Sequence, residues 1–185
     1  MNYIKFFLRK AFNLIFSQKT EVDIYRKKGV QIGLNCSFYS VNIDGCFPHL
    51  ITIGNNVTIT HSSLIAHDAS TKRELGYSRV GTIRIGNNVF IGWGCIILGN
   101  THIGNNVIIG AGSIINGNIP DNSVVMGNPA KVICTYDHYI EKHKKLLKSS
   151  PISNIPFSEK KEEDKKAQFQ QLLTGGGVRF VIINR

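Results

Sequence analysis

The chain of 185 residues is 42% hydrophobic and carries a formal net charge of +10. This size is enough for one well-buried domain with an accessory segment, and no run of about 18 apolar residues predicts a membrane-spanning helix. The basic excess lies at the two ends, because residues 29–134 hold five Lys/Arg against four Asp/Glu. The nearly neutral middle argues against nucleic acid as a partner.

Residues 1–28 form the first predicted segment, a basic amphipathic helix. At about 100° per residue its apolar side chains gather on one side, and they are Ile4, Phe7, Leu8, Ala11, Leu14 and Ile15. Two interpretations stay open: residues 1–16 contact an anionic membrane, or the helix packs on protein. No signal-peptide pattern is found, and the four cysteines show no CxxC pairing. We therefore expect a cytoplasmic protein, either free or at the inner face of the membrane.

Isoleucine recurs every six residues in the middle of the chain, at positions 85, 91, 97, 103, 109 and 115. A period of six fits neither an amphipathic helix nor a long strand, but it fits short strands separated by tight turns. Three hexapeptides then close one triangular coil. Ile53, Ile59 and Ile65 are predicted to point inward in an earlier coil, and a ragged coil begins near Ile32. The sequence thus predicts an all-β parallel β-helix over residues 29–136.

Two breaks in the period predict insertions. Ile32 and Ile53 are 21 residues apart, three more than one coil, so a small insertion lies near the sequence DGCFPHL. Ile53 and Ile85 are 32 residues apart, which is 14 more than one coil, so residues 71–84 are predicted to loop out. The sequence GNN recurs three times at the expected turns, where Gly and Asn tolerate positive φ.

Several motifs on this repeat carry a resemblance to a known family. They are LIAHDAS, the extruded loop after it, NNVFIGWG, IGAGS and GNPAK. Together they resemble the left-handed β-helix acyltransferases, and among these the maltose and galactoside O-acetyltransferases and their polysaccharide-modifying relatives. The resemblance implies left-handed coils and a homotrimer with active sites between subunits. It also implies acetyl-CoA as the acyl donor, bound between subunits.

His67 is the predicted general base, because an alcohol that attacks a thioester must lose its proton and histidine accepts one near neutral pH. The resemblance implies that the backbone N–H of Trp93 stabilises the developing oxyanion. His67 lies on the third face of its coil, whereas Trp93 and Ala111 lie on the second face of theirs. One chain would not readily aim both faces at one groove, so a trimer is expected to bring His67 against the second face of a neighbour.

The remaining site residues are expected to bind the two substrates. The predicted pantetheine channel is lined by Gly92, Trp93, Ala111 and Gly112. Lys131 in GNPAK is expected to meet a phosphate of CoA. Asn42, Asp44 and Glu74 are the candidates for binding the hydroxyls of a sugar acceptor, and no metal ligand is assigned.

The predicted function is acetyl transfer to a hydroxyl of a sugar or surface-polysaccharide precursor, by direct attack without a covalent enzyme intermediate. Three alternatives stay open: N-acetylation of an amino sugar, a non-catalytic solenoid, and a carbonic-anhydrase-like metal site across a trimer interface. The metal site would draw on His49, His61, His67 and His102, whose spacing argues against convergence. Residues 137–185 are predicted to be a helical extension.

Overall fold

The computed structural model describes residues 20–150, 152–153, 155–175 and 180–181. The amphipathic segment predicted over residues 1–16 lies outside these described residues. The chain separates into two compact units, Met1–Tyr136 and Asp137–Arg185. In the described ranges, no helix is long and apolar enough to cross a membrane.

Short strands dominate the described residues. In chain order they are β1 Gln31–Ile32, β2 Ser37–Tyr39, β3 Asn42–Ile43, β4 Ile51–Ile53, β5 Thr58–Thr60, β6 Ser63–Ile65, β7 His67–Asp68, β8 Arg79–Val80, β9 Ile83–Ile85, β10 Val89–Ile91, β11 Ile96–Leu98, β12 Thr101–Ile103, β13 Val107–Ile109, β14 Ile114–Ile115, β15 Asn118–Ile119, β16 Ser123–Gly127, β17 Ala130–Thr135, β18 Ile152–Ser153 and β19 Phe180–Val181. The helices are α1 Glu21–Lys27, α2 Lys72–Leu75, α3 Tyr136–Ser149 and α4 Glu162–Gly175, with 3₁₀ turns at Pro48–Leu50 and Phe157–Glu159.

Three parallel sheets enclose the core of the first unit. Their strand orders are β1-β4-β9-β12-β15, β2-β5-β10-β13-β16 and β3-β6-β11-β14, and β17 adds to the second sheet as an antiparallel strand beside β16. Each of the first four coils contributes one strand to each sheet, and residues 18 apart stack, as Ile91 does on Ile109 and Ile97 on Ile115. These side chains are at most 1% exposed. The triangular coils predicted from the isoleucine period are therefore present, and the stacked aliphatic side chains form one continuous core.

The prediction for Ile65 is wrong by one residue. Leu64 is fully buried and pairs with Ile97, while Ile65 is half-buried and pairs with Leu98 on the outer face. The cause is the turn between the inward residues Ile59 and Leu64, which is one residue shorter than the corresponding turn between Ile91 and Ile97 in the next coil. The hydroxyl of Ser62 fills the gap, because it accepts a hydrogen bond from Cys95 N at 3.0 Å and lies 2.8 Å from the carbonyl oxygen of Gly92.

The extruded segment begins and ends earlier than the predicted range of 71–84. Strands β7 and β8 pair antiparallel, His67 with Val80 and Asp68 with Arg79, so residues 67–80 form a hairpin with α2 at its tip. Ile83 is fully buried in β9 and returns to the coil. A three-residue strand points its first and third side chains inward, so Ile83 belongs to the core together with Ile85.

Helix α1 covers the open edge of the first coil. Thr20 and Asp23 form a capping box that starts the helix. The carboxylate of Glu21 then accepts hydrogen bonds from Ser40 N at 2.7 Å and Val41 N at 2.9 Å. The guanidinium of Arg26 donates to the Ile32 carbonyl oxygen at 3.2 Å. These contacts satisfy backbone groups of the first coil, in β1 and in the turn between β2 and β3.

A ladder of asparagines holds one corner of the coils together. Asn87 N donates to Asn105 Oδ1 at 2.9 Å, and Asn105 N donates to Asp121 Oδ1 at 2.8 Å. The hydrogen bonds from the Asn105 backbone and side chain keep the pKa of Asp121 below its usual value. The glycine before each pair is required, since a Cβ on Gly86 would lie 2.6 Å from the carbonyl oxygen of Gly104. The repeated GNN is therefore a packing and turn motif.

The second unit contains the two long helices, α3 and α4, and one small sheet. Strands β18 and β19 pair in parallel, Ile152 with Phe180 and Ser153 with Val181. Lys160 precedes α4, is 8% exposed, and donates to Gln168 Oε1 at 2.6 Å. This unit is mainly helical in its described part.

Candidate active site

His67 and Asp44 form a hydrogen-bonded pair at the base of the hairpin. The Nδ1 atom of His67 lies 2.5 Å from Asp44 Oδ2. The side chain of Asp44 is 1% exposed, whereas that of His67 is 34% exposed. The carboxylate is thus buried behind the ring, and the imidazole is the member of the pair that solvent can reach.

The protonation of this pair follows from the surroundings of the carboxylate. Burial raises the pKa of Asp44, but hydrogen bonds from His67 and from the backbone N–H groups of Cys46 and Phe47 outweigh it, and the net pKa lies below the usual value. An ionised carboxylate can only accept, so Nδ1 of His67 carries the shared proton. The Nε2 atom is then the basic nitrogen of the ring.

The short insertion DGCFPHL supplies the partner of His67. Asp44 Oδ1 accepts hydrogen bonds from Cys46 N at 2.9 Å and Phe47 N at 3.3 Å, and Asp44 Oδ2 also accepts one from Ala66 N at 3.0 Å. The ring of Phe47 packs against the imidazole, with 5.5 Å between ring centroids and a tilt of 49°. The insertion therefore fixes both the carboxylate and one wall of the imidazole.

A cavity of about 400 Å³ lies between the hairpin and the corner of the coils. Its lining includes His67, Asp68, Arg79, Val80, Asn100 and Asn116. The guanidinium of Arg79 bonds the carboxylate of Asp68, and this contact, with Ser70 N, holds the pKa of Asp68 well below its usual range. The cavity thus combines one solvent-accessible imidazole, one ion pair and two amides.

A second group of predicted site residues lies at a different corner of the coils. Gly94 N donates to the His61 carbonyl oxygen at 3.0 Å and Gly112 N donates to the Trp93 carbonyl oxygen at 2.8 Å, so His61, Trp93 and Ala111 stand on successive coils. The backbone N–H groups of Trp93 and Ala111 make no hydrogen bond within the described part of the chain. They are available to a ligand, and neither residue lines the cavity at His67.

The glycines predicted for the pantetheine channel have structural roles. Gly92 is buried, and a Cβ there would lie 2.7 Å from Ala111 N, so close packing of two coils requires it. Gly112 is exposed with a φ of +70°, a backbone conformation that favours glycine. Its amide is already bonded to Trp93. Lys131 is exposed on β17, opposite Met126 on β16.

The three residues predicted to bind the acceptor do not lie together in one site. Asn42 is exposed on β3, and Glu74 lies in α2 at the hairpin tip, 3.5 Å from Arg73. Neither lines the cavity. The acceptor role predicted for Asp44 is corrected by the structure, because both of its oxygens are buried and bonded to His67 and backbone amides. Sequence reasoning missed Phe47, Arg79, Asn100 and Asn116, since no repeat phase marks them.

The described residues hold no cluster of three His, Cys, Asp or Glu side chains that could bind a metal ion. Cys36, Cys46, Cys95 and Cys134 are free thiols. Burial raises the pKa of the Cys95 thiol, which is 1% exposed inside the coil. The described part of the cavity therefore holds two titratable pairs, His67 with Asp44 and Asp68 with Arg79.

Known proteins share both the sequence pattern and the fold. The family model "Bacterial transferase hexapeptide (six repeats)" matches residues 82–117. Protein CapG of Staphylococcus aureus is 41% identical over 162 residues, which cover 83% of this chain and 92% of that protein. The putative acetyltransferase YvoF of Bacillus subtilis is 31% identical over 118 residues, covering 63% and 66%. A hexapeptide-repeat acetyltransferase structure from Vibrio cholerae superposes with a TM-score of 0.52 at 24% identity, covering 58% of this chain and 63% of that one.

The chain therefore belongs to the bacterial hexapeptide-repeat transferase family. The predicted fold class, an all-β left-handed parallel β-helix with helices after it, is confirmed. The predicted enzyme class, an acyltransferase of the hexapeptide-repeat type, is also confirmed.

Proposed function

We propose that the protein transfers an acetyl group from acetyl-CoA to a hydroxyl group of a sugar, with His67 as the general base. The observation that carries this proposal is the buried carboxylate of Asp44 bonded to a solvent-accessible imidazole in a cavity. The cavity of about 400 Å³ lies within the range in which proteins bury small ligands. Its amide and ionic side chains at Asn100, Asn116 and Arg79 suit a polyhydroxyl acceptor.

In the proposed reaction, Nε2 of His67 accepts the proton of the attacking hydroxyl as the new ester bond forms. The sulfur–carbon bond of the thioester breaks, and the proton on His67 passes to the leaving thiolate. Asp44 stays ionised, holds the proton on Nδ1 and stabilises the imidazolium. The free N–H of Trp93 donates to the carbonyl oxygen, where negative charge develops. The acyl group passes directly to the acceptor.

We further propose that a homotrimer completes the site. The third sheet lies between the cavity at His67 and the corner that carries Trp93 and Ala111, so one chain leaves the base and the free amides apart. In the proposed assembly, His67 of one subunit faces Trp93 and Ala111 of a neighbour. The unbonded amides at these two positions and the small side chain of Ala111 fit an extended pantetheine arm, and Lys131 would contact a CoA phosphate.

We place the enzyme in the cytoplasm, where acetyl-CoA is formed and where the four free thiols would stay reduced. Contact of residues 1–16 with the membrane remains a proposal from the sequence alone. The 31% identity to the putative acetyltransferase YvoF supports acetyl transfer as the reaction.

An acceptor screen tests the proposed reaction. Acetyl-CoA is incubated with neutral hexoses, amino sugars and nucleotide-linked sugars, thiol release is followed, and the product is identified by mass spectrometry. We expect acceptor-dependent thiol release, a product labile to hydroxylamine as an ester is, and intersecting initial-velocity lines because no acyl-enzyme forms. A hydroxylamine-stable amide would instead show N-acetylation, and thiol release without any acetylated sugar would contradict transfer.

A further inference from the structure

An exposed aromatic pair stands outside the cavity at His67. The ring centroids of His61 and Trp93 are 4.1 Å apart and their planes differ by 7°, so the two rings are stacked face to face. Trp93 is nevertheless 62% exposed. One face of the indole is therefore covered by His61 and most of the rest is open.

The open face of the indole points toward the next coil. The backbone bonds at this corner place His61 one coil below Trp93 and Ala111 one coil above it. Adjacent strands of a sheet lie about 4.8 Å apart, which is close to the 4.1 Å between the centroids of the two stacked rings. Ala111 presents only a methyl group at that level. The ladder of His61 and Trp93 thus lacks a third ring, and a flat ligand would complete it.

We propose that the sugar ring of the acyl acceptor stacks on the open face of the Trp93 indole. This inference rests on the proposed function, in which the Trp93 amide holds the thioester carbonyl oxygen. Only the acyl group, the end of the pantetheine arm and the acceptor lie close to that carbonyl, because the whole arm and a pyrophosphate separate it from adenine. A pyranose presents a face of C–H groups to the indole while its hydroxyls remain at the edge for polar side chains.

Two substitutions of Trp93 test whether the acceptor needs a flat aromatic surface or only an apolar side chain. Trp93→Leu retains the backbone amide but removes the stacking surface, and Trp93→Phe keeps a smaller flat ring. We expect Trp93→Leu to raise the KM for the acceptor by about 10-fold and Trp93→Phe by about threefold or less, with the KM for acetyl-CoA within about twofold in both. Phe90→Leu removes an exposed aromatic ring of β10 outside both corners and serves as the control. A larger change in the acetyl-CoA KM than in the acceptor KM would overturn the inference.

The fluorescence of the protein gives a direct binding readout, because Trp93 is the single tryptophan of the chain. The acceptor found in the screen is titrated into the wild-type protein and into His61→Ala, with CoA titrated separately. We expect the acceptor to shift or quench the Trp93 emission with a midpoint near its KM. An emission change with CoA but none with the acceptor would assign the ring to the donor and contradict the inference.

The two proposals fail in different ways. If no sugar accepts an acetyl group, the proposed function fails, and glucose, galactose and N-acetylglucosamine then serve as the fluorescence probes. Saturable quenching by one of them supports the stacking platform on its own. If none of the three perturbs the emission, the platform is wrong as well. If transfer occurs but Trp93→Leu leaves the acceptor KM unchanged, the reaction stands and only the platform is rejected.

Discussion

Replacing His67 with alanine is expected to lower acetyl transfer by about 10² to 10⁴, which is the usual contribution of a positioned general base. In the described structure no second histidine contacts Asp44, so no neighbour assumes the role. The measurement is the rate of acetyl transfer with a saturating acceptor, together with the affinity for CoA by calorimetry. The affinity for CoA and the trimer should be retained.

The His67→Asn variant is expected to retain the native fold. The amide nitrogen of asparagine can occupy the place of Nδ1 and still donate to the buried carboxylate of Asp44, but it cannot accept the proton of a hydroxyl. His102→Ala removes an exposed histidine of β12 and should leave the rate unchanged. A His67→Asn enzyme with most of its activity would remove His67 as the base.

Asp44→Asn is the second substitution with a large expected effect. Each carboxylate oxygen of Asp44 accepts only from N–H groups, Oδ1 from Cys46 and Phe47 and Oδ2 from Ala66 and His67. The amide NH₂ of asparagine must replace one of them, so it meets a donor. If it faces His67, the ring takes the other tautomer and Nε2 no longer accepts a proton. We expect the transfer rate to fall by about 10² or more, and the free energy of unfolding to fall by about 1–3 kcal/mol.

The dependence of stability on pH gives Asp44→Asn a second readout. The pKa of Asp44 is lowered in the folded state, so its carboxylate stabilises the protein above the usual pKa of 3.8, and this contribution is lost as the pH falls through the folded value. The variant lacks the titrating group. We expect urea midpoints of wild type and variant to differ more at pH 7 than at pH 3. Asp121→Asn, at the asparagine corner outside the cavity, removes another carboxylate with a lowered pKa and is the matched control for activity, and equal losses of activity in the two variants would contradict a special role for Asp44.

The fold was largely predictable because the same packing constraint recurs in every coil. Each isoleucine repeats at 18 residues to fill the same inward stack, and each GNN repeats because the corner needs close approach and positive φ. The error at Ile65 has a local cause. A turn that is shortened by one residue, with the hydroxyl of Ser62 in the place of the missing residue, moves the inward position from Ile65 to Leu64. The spacing of the isoleucines does not reveal this change.

The candidate site was predictable only where it follows the repeat. His67 precedes the extruded hairpin, and the motif around it marks the residue. The sequence indicated Asp44 as a polar residue near the site, with a role in acceptor binding. Its burial against His67 depends on how the insertion DGCFPHL folds. The contacts of Phe47 and Arg79 depend likewise on irregular segments. Side chains in insertions are placed by tertiary packing, which the six-residue period does not encode.

The most direct test of a site shared between subunits is complementation between two inactive variants. One is His67→Ala, which lacks the base, and the other is Ala111→Phe, whose ring would block the proposed donor groove. The two chains are coexpressed with different tags, mixed trimers are purified through both tags, and their acetyl transfer is compared with that of each homotrimer. A shared site predicts that, in each mixed trimer, about one site in three combines an intact His67 with an intact Ala111 of the neighbour, restoring about a third of the wild-type rate. Mixed trimers that are as inactive as their parents would contradict the shared site.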